Sequence, residues 1–490
     1  MKAKGPYCFV LMLSLLGLLL GTDKALAQVK PVIATTVVMA GSMADGEHTP
    51  FWQTSQQYGT VPLDANNTML RGLIEVQGIM GSSIRYTTGL DLIGSTSRYR
   101  KVYLQQLYAS LGYRCFALTV GSKEKHRSLW NQSLSSGDLM WSGNARPIPE
   151  IEWGIPRFTP FLFSKGWLQA KGSFSVGKSF DEAYLEETIR PNEMYIKDVL
   201  WHYKSFYLRL ADMRGSFPFS LTIGAQHAVQ WGGTSTDSKL GQQPDGVSDF
   251  IRIVMGSNGG SDSSESSQVN ALGNHVGSYD LKLSYNDEHL GAAVYYQHYW
   301  DTRAGMQFLN GTDGLWGLQL DFPEAMIVNH VVVEYLQTTD QSGPFHFIDF
   351  DHTAHQGPGG GRENYYLSEE YRTGYTYFGR HIGTPQLLSP AYNGDGNPVI
   401  RSNRVRNWHI GWMGLLSDQW RYRVLFTWMH NWGLPMHPLL KEEKGMASLL
   451  EVTYAPKHFA GWQMVLSGAL DTGVIPGESK GLALRLSKQW

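Results

Sequence analysis

Long stretches in which apolar and polar residues strictly alternate constrain this chain more than any other feature. Successive side chains of a β-strand point to opposite faces of the sheet, so such a stretch has one apolar and one polar face. Beyond residue 20, no apolar run is long enough for a membrane helix and no sustained helical period appears. The pattern predicts an all-β protein. The clearest stretch carries these residues on its apolar face: Trp420, Tyr422, Val424, Phe426 and Trp428.

Amphipathic strands build either a soluble sandwich, with the apolar face inward, or a membrane barrel, with the apolar face toward lipid. Several stretches run for about ten residues, which matches the roughly 9–11 needed to cross a bilayer at a tilt. Strands of soluble proteins more often have about five or six residues. Trp420 and Trp428 at the two ends of one apolar face would place aromatic rings at both lipid headgroup levels. These features favour a single antiparallel transmembrane β-barrel.

The connections between predicted strands alternate in length in the second half of the chain, as they do in barrels with short periplasmic turns and long extracellular loops. Long connections are predicted at 257–276, 301–314, 431–445 and 471–480, and tight ones at 286–289, 323–326, 417–419 and 456–461. The scheme requires a further strand near 383–389. The strand count is about 18, consistent with the even numbers usual in such barrels.

The two ends of the chain indicate export. Lys2 and Lys4 precede an apolar run, and 25–27 (ALA) offers a signal-peptidase site, so we expect a signal peptide over residues 1–27. We assign 28–68 to an N-terminal segment and 69–490 to the barrel. At the C-terminus, leucines at 482, 484 and 486 and the final Trp490 share one face of a last strand. Such an ending resembles the signal by which barrels are recognised for membrane insertion.

Composition excludes some functions. The net charge is −2 and no basic block stands out, so nucleic acid is not expected as a partner. No nucleophile elbow, HExxH, Walker loop or paired CxxC is present, which argues against an enzyme and against a bound cofactor. The densest polar cluster has a spacing that matches no metal motif, so no metal is predicted there. It comprises His346, Asp349, Asp351, His352 and His355.

Several short motifs spread over the chain together resemble the Wzi family of outer-membrane capsule-assembly proteins, in its Bacteroidetes-like form. Their order and spacing carry the resemblance. They are 49–52 (TPFW), 57–59 (QYG), 142–149 (SGNARPIP), 230–233 (QWGG), 273–275 (GNH) before 279–281 (YDL), 361–366 (GRENYY), 374–379 (GYTYFG) and 382–385 (IGTP).

The resemblance implies a monomeric barrel in the outer-membrane lipid, placed there by the barrel-insertion machinery. Such a protein acts as a lectin for capsular polysaccharide, helps to retain or assemble the capsule, and is not an enzyme. The enterobacterial branch carries a helical bundle before its barrel, whereas residues 29–67 show no amphipathic helix. The alternative function is a channel of the porin or saccharide-uptake class, which would share the signal, the alternation and the loop asymmetry.

A predicted outward loop at 351–366 offers the chemistry for binding an acidic polysaccharide. Arginine grips carboxylates in a bidentate fork, carboxylate and amide groups bind hydroxyls, and aromatic rings pack on sugar faces. An equally plausible role for the two tyrosines is to open a strand within the aromatic girdle. Trp231 is either a loop residue of the site or an interfacial anchor. The candidate carbohydrate-binding residues are Arg362, Asp351, Glu363, Asn364, Tyr365, Tyr366 and Trp231.

Overall fold

The computed structural model describes residues 31–97, 99–161, 163–260, 271–323, 327–341 and 363–490. Within these ranges the chain forms one antiparallel sheet of 18 strands, and every strand pairs with its neighbours in chain order. The last strand pairs with the first, from Thr36 opposite Gln489 to Gly46 opposite Ser479. The sheet is therefore a closed barrel, which satisfies the backbone hydrogen bonds along the whole wall. The all-β, 18-stranded prediction is confirmed.

The barrel strands are β1 (Val32–Gly46), β2 (Asn67–Met80), β3 (Ile84–Ser95), β4 (Val102–Tyr113), β5 (Phe116–Ser122), β6 (Glu150–Pro160), β7 (Leu168–Lys178), β9 (Leu200–Ala211), β10 (Phe219–Trp231), β12 (Asn274–Asn286), β13 (Gly291–Trp300), β14 (Gly314–Asp321), β15 (His330–Gln337), β18 (Arg406–Ser417), β19 (Trp420–Leu434), β20 (His437–Tyr454), β21 (Trp462–Gly473) and β22 (Ser479–Gln489). Two short ribbons pair β8 (Ile196–Lys197) with β11 (Thr234–Ser235) and β16 (Thr376–Tyr377) with β17 (Arg380–His381). The helices are α1 (Phe51–Thr54), α2 (Glu182–Thr188), α3 (Val247–Met255) and α4 (Arg303–Met306), with a 3-10 turn at Pro390–Tyr392.

The outer wall of the barrel is apolar. Leu482, Leu484 and Leu486 are exposed on the outside of β22, as the alternation predicts. Trp408 lies opposite Trp428 near one rim, and Trp420 stacks on Tyr454 near the other, with ring centroids 4.5 Å apart. An apolar band between two aromatic girdles is the exterior of a membrane barrel. Among the described residues, no helix is long and apolar enough to cross a bilayer.

The two rims differ in the length of their connections. At one rim, here the turn rim, strands are joined by short segments such as 81–83, 114–115, 287–290 and 418–419. At the other, the loop rim, the connections include 47–66, 123–149, 179–199, 232–273 and 338–405. The predicted alternation of short and long connections is present. The turn rim corresponds to the periplasmic side of such barrels and the loop rim to the extracellular side.

Three predictions about boundaries are wrong. Residues 32–46 are not part of a separate N-terminal segment, because β1 pairs with both β2 and β22 and closes the barrel, which therefore begins well before residue 69. The strand required near 383–389 is absent, since β15 pairs directly with β18 and the intervening segment leaves and returns at the same rim. The loop predicted at 431–445 is a hairpin, in which β19 continues to Leu434 and β20 begins at His437.

The lumen is filled by three connections of the loop rim that fold back into the barrel. We call them the first inward segment (residues 47–66), the second inward segment (residues 123–149) and the third inward segment (residues 363–405). Their apolar side chains form two cores with lumen-facing residues of the wall. Members of the larger core include Trp130, Leu139, Met140 and Trp141, Tyr295, Tyr299 and Leu315, and Tyr365, Tyr366 and Tyr375.

Candidate functional site

The three inward segments are joined to one another by hydrogen bonds between residues far apart in sequence. The Ser142 amide donates to the Ile382 carbonyl (3.0 Å), and the Tyr366 hydroxyl donates to the Leu139 carbonyl (3.1 Å). The Tyr58 amide donates to the Gly143 carbonyl (2.7 Å). Most motifs that carry the family resemblance meet here, including 57–59, 142–149, 374–379 and 382–385. Their role in this structure is to hold the inward segments together.

A buried carboxylate fastens the second inward segment to the barrel wall. Glu334 of β15 faces the lumen and is 1% exposed. It accepts hydrogen bonds from the Ser135 hydroxyl (2.7 Å), the Ser136 amide (2.6 Å) and hydroxyl (2.5 Å), and the Tyr295 hydroxyl. Hydrogen bonds to a charged acceptor are stronger than neutral ones, and buried donors that lose their partner are costly. Glu334 is therefore the main polar anchor of this segment.

A second anchor is electrostatic. The guanidinium of Arg127 pairs with Glu150 and with Glu152 (2.5 Å) of β6, and lies over the rings of Trp141 (4.3 Å) and Tyr203 (4.0 Å). Burial lowers the pKa of Arg127, but the two carboxylates outweigh it and leave the pKa raised. The cation is thus held in its charged form inside the lumen, where it ties the inward segment to the wall.

The structure separates the residues predicted to bind carbohydrate. Arg362 and Asp351 lie outside the described residues, as does the polar cluster at 346–355. Glu363 and Asn364 begin the third inward segment, where the Asn364 side-chain oxygen accepts a hydrogen bond from Asn403 (2.7 Å). These two residues are half-buried and lie near the part of the loop that the structure does not describe.

Tyr365 and Tyr366 lie in the interior, and neither is in a strand or in the aromatic girdle. Both are 0% exposed, because the chain turns into the lumen at this point. The Tyr365 hydroxyl donates to Asp313 (3.1 Å) and accepts from the Asn310 side chain (2.8 Å). The prediction that they form an open platform for sugar rings therefore does not fit their positions, and their contacts are those of core residues.

Trp231 ends β10 and is buried on the outside of the barrel. Its ring lies 5.6 Å from that of Phe250 in α3, centroid to centroid. With Val229, Ile253 and Leu272 it forms a small core of its own, away from the lumen. Because Trp231 is only 4% exposed, it neither faces lipid as an interfacial anchor nor lies open on a loop, and its contacts are those of a core residue.

Asp313 is a titratable group that holds the third inward segment near the loop rim. Its carboxylate accepts the backbone N–H of Gln341 (2.8 Å) and of Asp340 (3.1 Å), as well as the Tyr365 hydroxyl. Burial, together with the charge of Asp340, raises the pKa of Asp313 to about 7. A solvated aspartate has a pKa of about 4. We call the arrangement in which Asp313 is buried against residues 340 and 341 the closed form, and the one in which it is solvated the open form. Between about pH 4 and pH 7, Asp313 is therefore protonated in the closed form and ionised in the open form.

We expect protection of the 338–341 amides from hydrogen exchange to fall as pH rises from about 5 to 7, and to level off above. A folded-state pKa above the unfolded one favours the closed form at low pH, and one proton changes the equilibrium up to about tenfold per pH unit. Asp313→Asn should flatten this dependence. Asp287→Asn, in an exposed turn at the other rim, is the matched control. Parallel profiles for Asp313→Asn and the parent would contradict the assignment.

The described part of the loop rim contains a small cleft between α2 and the third inward segment, lined by both polar and apolar residues. Its cavity volume is about 140 Å³, below the roughly 300–1,000 Å³ of sites that enclose a whole drug-sized ligand. Hydroxyl and amide side chains and proline rings share its walls, a mixture suited to the hydroxyls and apolar faces of a sugar. The lining residues include Tyr184, Thr188, Thr373, Ala391, Asn393, Asn397 and Pro398.

A close backbone contact forms one end of this cleft. The Arg190 amide donates to the Gly396 carbonyl (3.0 Å), and Gly396 has a φ of +72°. A Cβ at this position would lie 2.7 Å from the Thr188 carbonyl, so only glycine fits. The turn-rich sequence at 393–398 (NGDGNP) signals this turn, but nothing in it indicates that α2 is its partner.

The rim of the cleft carries arginines with an acidic partner. Asp395 accepts from Arg401 (2.5 Å) and lies 3.4 Å from Arg190, which also pairs with Glu193. Arg190, Asp395 and Arg401 are substantially exposed, so the ion pairs between them contribute little to stability. The two guanidinium groups are therefore accessible to an anionic group from solution.

The sequence profile of the capsule assembly protein Wzi family matches residues 42–386. The chain belongs to this family. Among solved structures, it is similar to Wzi of Escherichia coli, a carbohydrate-binding outer-membrane β-barrel involved in group 1 capsule assembly: 12% identity, 99% of this chain and 89% of that chain covered, TM-score 0.57. This Wzi-family chain is also similar to OprD of Pseudomonas aeruginosa, with 10% identity, 95% of this chain and 97% of that chain covered, and a TM-score of 0.46. A third similar structure is OccAB4 of Acinetobacter baumannii, with 10% identity, 94% of this chain and 98% of that chain covered, and a TM-score of 0.46. No curated protein matches this chain.

Proposed function

We propose that this protein is an outer-membrane lectin that binds capsular polysaccharide at its loop rim and helps to assemble or retain the capsule. The observation that carries the proposal is the match to the capsule-assembly family over most of the chain. A small cleft of mixed polarity at the rim that faces outward in barrels of this kind supports the proposal. We propose that the protein acts by binding rather than by catalysis.

The channel alternative is less well supported. A porin needs an open path through the lumen, whereas here the three inward segments pack against the wall in two hydrophobic cores. Polar anchors such as Glu334 and Arg127 fasten the second of these segments on two sides. A wall of this size with a filled interior is suited to displaying a surface rather than to conducting solutes.

Two surfaces are candidates for the saccharide. One is the cleft between α2 and the third inward segment. The other is the loop that leads to Glu363 and Asn364, where we retain Arg362 and Asp351 as proposed ligands from the sequence. Both belong to connections of the loop rim, so a long polysaccharide can contact both. We further propose that the protein is a monomer and that the exposed apolar face of β22 serves in recognition by the insertion machinery.

Deleting the gene should shift polysaccharide from the cell surface to the medium. A surface lectin affects retention and not synthesis, so the total should stay constant while the cell-bound fraction falls several-fold. The measurement is polysaccharide in washed cells and in culture supernatant, with the parent gene restored as control. A lower total with an unchanged bound fraction would point to synthesis or export and contradict the proposal.

A further inference from the structure

Helix α3 lies outside the barrel, although it belongs to the connection 232–273 of the loop rim. One side of it packs on the outer wall. The Phe250 ring lies 5.6 Å from Trp231 and 5.8 Å from His202, centroid to centroid, and Ile253 is fully buried against Val229. The Lys204 ammonium on the outer face of β9 donates to the Val254 carbonyl. The helix is thus held against the wall by both apolar and polar contacts.

A second side of α3 is apolar and exposed. Val247, Ile251 and Met255 are 82%, 59% and 73% exposed. Residues at i, i+4 and i+8 lie along one stripe of a helix. Isolated exposed apolar residues are ordinary, but three large ones in line on a nine-residue helix form a continuous ridge.

A third side of α3 is polar. Arg252 pairs with Asp249 (3.0 Å), which caps the helix by accepting the Gly246 amide (3.1 Å). With about 100° between successive residues, Arg252 points about 100° to one side of Ile251, and the wall-facing Phe250 points about 100° to the other. A helix with this arrangement fits a corner where protein, lipid and water meet.

The outer wall beside α3 continues into the lipid-facing band. Phe206, two residues from Lys204 on the same face of β9, is 55% exposed. Ile223 and Leu281, exposed and opposite each other on β10 and β12, lie four residues from His227 and Gly277 toward the turn rim. His227 lies opposite Lys204, which holds the end of α3, so at about 3.3 Å per residue this level of the wall is roughly 13 Å along the strand from the exposed Ile223.

We propose that α3 is an in-plane membrane anchor, whose Val247, Ile251 and Met255 insert among the lipid acyl chains of the leaflet at the loop rim. Amphipathic helices that lie in an interface bury their apolar side about 5–10 Å into the headgroup and acyl boundary. The helix then fixes the height of the connection 232–273 relative to the membrane. This inference rests on the proposed function, because both require that the barrel spans a membrane.

The test attaches a small fluorophore to single cysteines at Val247, Ile251, Arg252 or Leu281, in a background in which Cys8 and Cys115 are both replaced by serine. The folded full-length protein is reconstituted in phosphatidylcholine and phosphatidylglycerol vesicles. Lipids brominated on their chains should quench labels at 247, 251 and 281 several-fold more than the label at 252. Iodide in the water should show the opposite order.

The label at Leu281 separates the two hypotheses. If it is not quenched by brominated lipid, the barrel does not lie in the membrane as proposed and the function fails with the helix. If the label at Leu281 is quenched but the labels at Val247 and Ile251 respond to iodide like the label at Arg252, α3 lies in water and only the anchor proposal is overturned. Labels at 247 and 251 that neither quencher reaches would place protein over the ridge, which also overturns it.

Discussion

Replacing Glu334 by alanine should convert a closed barrel into a conducting one. The change removes the shared acceptor of Ser135, of the Ser136 amide and hydroxyl, and of Tyr295. A hydrogen bond to a charged group contributes about 1.5–3 kcal/mol, and each stranded buried donor costs about 1–3 kcal/mol. A net loss of about 3 kcal/mol would raise the population with the second inward segment displaced on the order of a hundredfold.

The measurement is single-channel conductance in planar lipid bilayers. The parent should show little or no steady current, because its lumen is filled by the inward segments, and Glu334→Ala should show frequent steps. Glu334→Gln keeps the side chain's size and one acceptor oxygen, so it should fall between the two. Glu443→Ala, which removes a carboxylate that accepts a hydrogen bond from the Asn431 side chain near the loop rim (3.2 Å), is the matched control.

Folding of the variants must be checked by the mobility of unheated samples on gels, since a folded barrel and a boiled one migrate differently. If folded Glu334→Ala shows as little steady conductance as the parent, the position of the second inward segment does not depend on Glu334. Large steps from the parent itself would instead revive the channel function.

Replacing Ala391 by tryptophan should abolish binding of capsule fragments at the cleft. The indole would occupy space enclosed by Tyr184, Thr188 and Thr373, so a sugar ring could not enter. We expect at least a hundredfold weaker affinity in direct titration of folded protein with purified fragments, which corresponds to about 2.7 kcal/mol. Thr373→Trp fills the cleft from the opposite wall and should have the same effect.

Ala183→Trp is the matched control, because Ala183 lies on the exposed side of α2 and does not line the cleft. Arg362→Ala separates the two candidate surfaces. If Arg362 grips a carboxylate of the saccharide, its loss should weaken binding about tenfold to a hundredfold. Normal binding by both cleft-filling variants, with weakened binding by Arg362→Ala, would move the site to the loop and contradict the assignment of the cleft.

The wall of the barrel was predictable from the sequence because its constraint is local. Every strand must present an apolar residue to lipid at each second position, and Trp420 to Trp428 or Leu482 to Leu486 show this within a few residues. The rim asymmetry followed from the same pattern, since interruptions of the alternation mark connections. Errors arose where the alternation is weak or the partner is distant, as for β1, whose place is decided by its pairing with β22.

The sequence alone therefore indicated a barrel of about 18 strands with an apolar exterior, long connections at one rim and a resemblance to a capsule-assembly family. Only the tertiary structure decided what fills the lumen and where a ligand can enter. Tyr366 is joined to Leu139, and Gly396 packs on Thr188, across more than 200 residues of chain. The apolar residues of irregular segments have no regular spacing in the sequence from which their structure could be predicted. Their hydrogen bonds and packing depend on partners distant in sequence, which only the closed barrel wall brings close.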